Sequence, residues 1–402
     1  MKIRVLPSFF HVVGWMGNCI AIAGSNARST NMICDFTTLS HRGIQVLSPY
    51  VPGKSIEEVA KEYGISDIIK LASNENAFGC SPKVTEAFQN LDPKLIARYP
   101  AAAHHPFRQE LSDFLQVPTN MLTIANGSDS LFGVLLTAFA LLEDKQMLTH
   151  DYAFNSYAIQ AHTLGVEVVL LELQNWQVNI EALLAACTPK TALIFIDNPS
   201  NPIGSVMDLA SIEQILQNIP ETTLLVLDEA YYEFLPPGSM PSLQLLKKYR
   251  NLIITRTFSK AYGLAGLRLG YAIADPQITE VIQKVHLPFT ANILAMHGAR
   301  AALQDQAFIQ HTQQHVARER QEMTELLDAS HINYIPPSSN FITIDCGQDG
   351  AVTMAKKLQE RGIIIRPLHT YGLNSYLRVT IGTTEQNKRF LREFFDLLGL
   401  KP

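Results

Sequence analysis

The chain has 402 residues, 47% hydrophobic and 17% charged, which suits a soluble globular protein with room for two domains and a large core. Its 32 basic and 37 acidic side chains leave a formal charge of −5, so no general affinity for nucleic acid or an anionic membrane is expected. No apolar run is long enough to span a bilayer, and five cysteines without a Cys-x-x-Cys pair suit free thiols in the reducing cytoplasm.

At the N-terminus, Lys2 and Arg4 precede a moderately apolar stretch that ends in Ala21-Ile-Ala23 and imitates a secretory signal. Pro7, His11 and Asn18 interrupt it, and Met32 offers a second start. Residues 1–31 therefore read as a disordered leader or a mis-assigned start, and 32–70 as an arm joined to part of a small domain. Within that arm Ser48-Pro-Tyr-Val-Pro-Gly-Lys54 is extended, and Ser55 with Glu58 caps a short helix reaching Tyr63. Ile68–Leu71 then leads into a polar loop, Ser73-Asn-Glu-Asn76.

Residues 71–298 carry an α/β pattern. Met121–Ala125 reads as a strand running into Asn126-Gly-Ser-Asp129, followed by a helix with Leu131, Val134, Leu135, Ala138 and Leu142 on one face. A glycine-serine turn opening a helix presents free N–H groups and the positive dipole end, a natural seat for phosphate. Three apolar runs follow, Ala192–Ile196, Leu224–Leu227 and Leu252–Ile254, separated by helix-like Asp208–Asn218 and Ser242–Tyr249. A repeat of roughly 30 residues is the length of a βαβ unit, so these strands are expected to be parallel neighbours. Their C-terminal ends carry Asn201, then Asp228 and Tyr231, then Lys260, and ligands bind beyond such ends.

Those residue types define a chemistry. A lysine at the end of a buried strand is poorly hydrated, which favours its neutral, nucleophilic amine. Thr257, Ser259 and Arg268 around it are what a phosphate group needs. A Schiff base with a phosphorylated aldehyde, pyridoxal 5′-phosphate (PLP), meets both conditions. Asp228 facing the pyridine nitrogen would keep it protonated, and Tyr231 and Asn201 could hydrogen-bond the phenolic oxygen. Phe154, in Asp151-Tyr-Ala-Phe154, could stack on the ring or serve the core. No metal-binding motif is present.

Residues 299–402 change style, to a smaller α+β domain. Thr312–Ala329, Ala351–Arg361 and Thr384–Leu398 read as helices, and Asn340–Cys346, Ile363–Pro367 and Tyr376–Ile381 as half-exposed strands. Arg366 and Arg378 stand on those strands and could bind a carboxylate or phosphoryl group, or make surface ion pairs.

Residues 35–400 resemble the histidinol-phosphate aminotransferases, fold-type I PLP enzymes of histidine biosynthesis. Beyond the proline-rich arm, the resemblance rests on Leu71-Ala-Ser-Asn-Glu-Asn76, Arg98-Tyr-Pro100, Asn126-Gly-Ser128, Asp228-Glu-Ala-Tyr231, Thr257-Phe-Ser-Lys260 with its glycine-rich continuation to Tyr271, and Leu377-Arg-Val-Thr-Ile-Gly382. It implies a large α/β domain, with a mostly parallel central sheet between helices, beside the smaller α+β domain. It implies that Lys260 carries PLP opposite Asp228, that Asn201 and Tyr231 hold the phenolic oxygen, and that Phe154 stacks on the ring. Ser128, Asp129, Thr257, Ser259 and Arg268 would hold the phosphate, and Tyr99 would reach the phosphate of a partner subunit in a homodimer with shared sites. Arg366 and Arg378 would bind substrate anions, with Tyr50 and Asn74 nearby. The implied reaction moves an amino group between L-glutamate and imidazole-acetol phosphate. The chain departs from the family pattern at Ala101-Ala-Ala-His-His-Pro106, at Ile203 and at His286. An aromatic amino-acid aminotransferase is the nearest alternative; a PLP lyase acting on threonine phosphate and a PLP-sensing transcription regulator are the others.

Overall fold

The apolar runs ending at Asp197, Asp228 and Thr257 lie side by side in the middle of a large sheet. The computed structural model describes residues 3–6, 39–49, 53–100, 105–142, 144–347 and 350–400. Its strands, in chain order, begin with β1 (Ile3–Leu6), β2 (Ile69–Lys70), β3 (Leu122–Ala125), β4 (Gln146–His150) and β5 (Glu167–Leu171). A small hairpin, β6 (Leu173–Gln174) and β7 (Gln177–Val178), is followed by β8 (Thr191–Asp197), β9 (Leu224–Asp228), β10 (Leu252–Thr257) and β11 (Gly270–Ala274). The C-terminal part adds β12 (Tyr334–Ile335), β13 (Phe341–Asp345), β14 (Ile363–Ile364), β15 (Arg366–Pro367) and β16 (Tyr376–Thr380).

The large sheet runs β1-β5-β4-β8-β9-β10-β11-β3. Strands β5, β4, β8, β9 and β10 are parallel, and β11, β3 and β1 pair antiparallel at the two sides. The three central strands are buried along their whole length and carry apolar side chains on both faces because both faces are covered. Ile194, Ile196, Leu225, Leu227, Leu252 and Ile254 point into one core, while Leu193, Phe195, Val226 and Ile253 point into the other. The helix Leu209–Asn218 starts where expected, with the Asp208 carboxylate accepting from the Ser211 N–H at 2.8 Å. Ser55 and Glu58 form the expected capping box for Ile56–Tyr63.

A second, antiparallel sheet runs β12-β13-β16-β15, and β14 pairs in parallel with β2, tying the segment after the arm to the C-terminal part. Phe341, Ile342, Leu377, Val379, Phe390 and Phe394 share one core with Tyr231, Phe234 and Ala261. The segments that follow β9 and β10, on either side of the lysine, are therefore packed against the second sheet.

Several expectations are corrected. Ile3–Leu6, within the stretch read as a disordered leader or a mis-assigned start, adds an edge strand to β5; residues 7–38 lie outside the described residues. Strands β13 and β16 are almost wholly buried rather than half exposed, since their polar residues are spent on contacts to the large sheet. The helix after Ser128 stops at Phe139, leaving Leu142 in a turn at positive φ and 92% exposed. Ser242–Lys247 is a 3₁₀ helix, and Ile363–Pro367 divides between two sheets. Strands β4 and β5 are not anticipated at all.

Candidate active site

Asp228 closes β9 and is buried, with Cα partners Asp197 on β8 and Thr255 on β10. Two hydroxyls donate to its carboxylate: Tyr157 to Oδ2 at 2.7 Å and Thr255 to Oδ1 at 2.9 Å. Burial still pushes its pKa up to about 7, opposed by those hydrogen bonds and reinforced by Asp197 and Asp129. A cationic group in contact would restore its charge.

Lys260 follows β10 by three residues, and its Nζ donates to the Ser73 carbonyl at 3.2 Å. Its pKa is lowered to about 7, first by burial and then by the charge of Arg378. The amine is thus substantially neutral and nucleophilic near physiological pH. Tyr231, which lies under this amine with its ring centroid 5.6 Å from Nζ, accepts from Asn74 Nδ2 at 2.9 Å. Burial pushes the Tyr231 pKa up to about 12, so the hydroxyl stays protonated.

The anion seat is built by close backbone approach. Gly127 has φ +78°, and a Cβ there would meet Arg268 Nη2 at 2.7 Å. A Cβ on Gly270 would meet the Ser128 nitrogen at 2.2 Å, so only glycine lets β11 pass beneath the turn. Ser128 opens the helix Asp129–Phe139 without a side-chain capping bond, and Ser128 and Asp129 both line the cavity at this helix start. Arg268 reaches Ser259 Oγ only at 3.5 Å and forms no ion pair among the described residues. The Asp129 carboxylate accepts from the Ser156 hydroxyl, so its part in holding an anion falls to its backbone N–H.

These groups surround one cavity of about 200 Å³, lined by Ser128, Asp129, Phe154, Asn201, Asp228, Tyr231, Thr257, Ser259, Lys260 and Arg268, together with Asp197, Pro199 and Ala230. Arg378 lies behind Asn201, donating to its Oδ1 at 2.5 Å and to the Ala72 carbonyl at 2.7 Å. Arg366 is its Cα partner across β15 and β16. Tyr99 does not line the cavity of its own chain; it is 82% exposed and stacks on Phe289 at 4.9 Å. Tyr50 lies outside the described residues. Sequence reasoning missed Tyr157, Thr255, Asp197 and His150. The parallel register next to Asp228 points to Thr255 and Asp197, and a helical turn beyond Phe154 points to Tyr157.

A nucleophilic lysine, a buried carboxylate in the same cavity and an arginine that makes, among the described residues, only two long hydrogen bonds, to Ser259 and the Ala265 carbonyl, beside a helix start fit PLP group by group. The fold and this site define a PLP-dependent enzyme. The chain belongs to the class I and II aminotransferases, whose family profile matches residues 66–394. It is 49% identical over 362 residues to histidinol-phosphate aminotransferase 2 of Legionella pneumophila (strain Lens), covering 90% of this chain and 98% of that one. Against histidinol-phosphate aminotransferase 2 of Haemophilus influenzae (strain 86-028NP) it is 39% identical over 365 residues, 90% and 99% of the two chains. The structure of histidinol-phosphate aminotransferase from Sinorhizobium meliloti in complex with PLP matches with a TM-score of 0.78 at 28% identity, covering 89% of this chain and 97% of that one.

Proposed function

We propose that this aminotransferase is a histidinol-phosphate aminotransferase, converting L-glutamate and imidazole-acetol phosphate to 2-oxoglutarate and L-histidinol phosphate in histidine biosynthesis. The observation that carries this reading is Arg378 held against Asn201 at the cavity, with Arg366 opposite it in the ladder. Cross-strand partners project to the same face of a sheet, which gives two guanidinium groups for a carboxylate or a phosphate ester. The names of the relatives support the same substrates.

When bound, PLP supplies an aldehyde for the amine and a ring that accepts the electron pair left as Cα loses its proton. Lys260 anchors the cofactor and, once displaced, carries that proton as general base and then acid. Asp228 would hold the proton on the pyridine nitrogen, and Tyr231 and Asn201 would offer their polar atoms to the phenolic oxygen. Phe154 covers a ring face, and Ser128, the Asp129 N–H, Thr257, Ser259 and Arg268 hold the phosphate. Asn74 fixes Tyr231, and Tyr50 is assigned, with Arg366, to substrate binding.

We place the active form in a homodimer. Tyr99, Phe289 and Leu287 are exposed apolar side chains that a second copy would cover, and the Tyr99 hydroxyl would reach the partner's phosphate site. Among the described residues Cys80, Cys187 and Cys346 form no disulfide, which fits a cytoplasmic setting, and no described helix is long and apolar enough to cross a membrane.

Steady-state kinetics with 2-oxoglutarate test the assignment. Histidinol phosphate should exceed phenylalanine in kcat/KM by about tenfold or more, because two guanidinium groups are matched better by a phosphate ester than by a single carboxylate. A preference for phenylalanine would replace this reading with an aromatic aminotransferase.

A further inference from the structure

His150 ends β4 beneath the cavity and is as buried as any core residue. Its two ring nitrogens both meet oxygen. Nδ1 lies 2.8 Å from the Asp151 carbonyl, which can only accept, so Nδ1 carries a hydrogen. Nε2 lies 2.9 Å from Asp197 Oδ1. The other oxygen of that carboxylate, Oδ2, accepts from the Asn201 N–H at 2.7 Å and from Ser200 Oγ at 3.1 Å. Two donors on one oxygen favour the ionised carboxylate, which leaves a second proton on the imidazole.

We propose that His150 is an imidazolium counter-ion to Asp197, a positioning residue that shields Asp228 from a second carboxylate and holds the Asn201 backbone under Arg378. The inference rests on the PLP reading of the cavity. Asp197 and Asp228 are Cα partners on adjacent parallel strands and both line the cavity. Like charges so placed repel, and the charge of Asp197 is among the influences raising Asp228. Asp228 must be ionised to hold the protonated ring nitrogen, so a neutral partner at position 150 would set the two carboxylates against each other. Burial by itself would lower the His150 pKa, but the hydrogen bond and charge of Asp197 outweigh it and the net shift is upward. The same carboxylate fixes the Asn201 N–H, and the Asn201 side chain receives Arg378, so one buried proton is coupled to both cofactor and substrate groups.

Charge, rather than packing, can be separated with three variants. His150→Gln keeps a donor for Asp197 but removes the positive charge. Asp197→Asn removes the negative charge and keeps an acceptor for the Asn201 N–H. The third combines them. In equilibrium titration of apoenzyme with PLP at neutral pH, His150→Gln should weaken binding about fivefold, because Asp228 then faces an uncompensated carboxylate and is held less in its ionised form. Asp197→Asn and the double variant should stay within about threefold of the parent. Isotope-labelled histidine in the parent apoenzyme should show one side chain, lost in His150→Gln, with both ring nitrogens protonated at neutral pH. A neutral His150 in that spectrum overturns the proposal, as does a double variant binding PLP no better than His150→Gln alone. Should His150→Gln fail to fold, tight PLP binding by Asp197→Asn still supports the charge argument, and loss of binding there overturns it. A parent chain that binds no PLP would instead refute the cofactor reading itself.

Discussion

Tyr157→Phe isolates what holds the charge of Asp228. The ring keeps its place, stacked on Phe195 at 5.0 Å and edge-on to Phe132 at 4.7 Å, and only the hydroxyl is removed. That hydroxyl donates to Asp228 Oδ2 at 2.7 Å, while Thr255 keeps Oδ1. A hydrogen bond to a charged group is worth about 1.5–3 kcal/mol, against about 0.5–1.5 kcal/mol for a neutral one. The loss therefore falls mainly on the ionised carboxylate, and a pKa already raised to about 7 by burial rises further. Binding a protonated pyridine needs the ionised form, so the Kd for PLP at neutral pH should rise by the difference between the two, about 1–1.5 kcal/mol or roughly five- to tenfold. The apoenzyme, with the carboxyl partly neutral, should lose only about 0.5–1.5 kcal/mol of stability. Fluorescence titration with PLP and urea unfolding measure the two effects. Parent-like PLP affinity together with a large stability loss would show that the hydroxyl serves packing, and the electrostatic reasoning would fall.

The Lys260 amine, lowered to about 7, is neutral above that pH and charged below it, so its reductive methylation in the apoenzyme should be half-maximal near neutrality. A midpoint near the ordinary 10.5 would show that burial does not act on the amine. Gly270→Ala places a Cβ 2.2 Å from the Ser128 nitrogen and should cost about 1–3 kcal/mol while loosening PLP, because the turn that seats the phosphate must move. Unchanged PLP affinity in that variant would separate the turn from the anion seat. Arg378→Lys loses the fork that spans Asn201 and the Ala72 carbonyl, and should slow the half-reactions with glutamate and with histidinol phosphate alike. Single-turnover rates reduced for glutamate alone would refute the shared role.

The parallel core was legible because β8, β9 and β10 are apolar on both faces, and their spacing and order carried Asn201, Asp228 and Lys260 to one crevice. The neighbouring β4 was not legible, and the reason is physical. Gln146, Thr149 and His150 are buried, yet each is paired across the sheet: Gln146 Nε2 to Thr191 Oγ1 at 2.9 Å, Thr149 Oγ1 to the Phe195 carbonyl at 2.9 Å, and His150 to Asp197. Polar groups satisfied in this way erase the hydrophobic pattern without leaving the core. The same effect made β13 and β16 read as half exposed. Thr343 donates to the Pro202 carbonyl, Arg378 to Asn201, and Thr380 Oγ1 accepts from the Asn74 N–H at 2.9 Å. Alternating polar residues there face the other domain rather than water.

The direction of the two central pKa shifts carries the remaining step. An acid and an amine in contact stabilise each other's charge, which lowers the one and raises the other. Here Asp228 is raised to about 7 and Lys260 lowered to about 7, so each is displaced towards its neutral form. Burial outweighs their mutual attraction, and their hydrogen bonds go elsewhere, from Tyr157 and Thr255 to the carboxylate and from the amine to Ser73. Both side chains line the same cavity, flanking it rather than closing on each other. A desolvated amine able to attack a carbonyl and a desolvated carboxylate that gains most from a buried cation are what a protonated pyridine aldehyde needs at its two ends. Residues that add or remove charge around either end, His150 and Arg378 foremost, should therefore tune cofactor affinity more than fold stability.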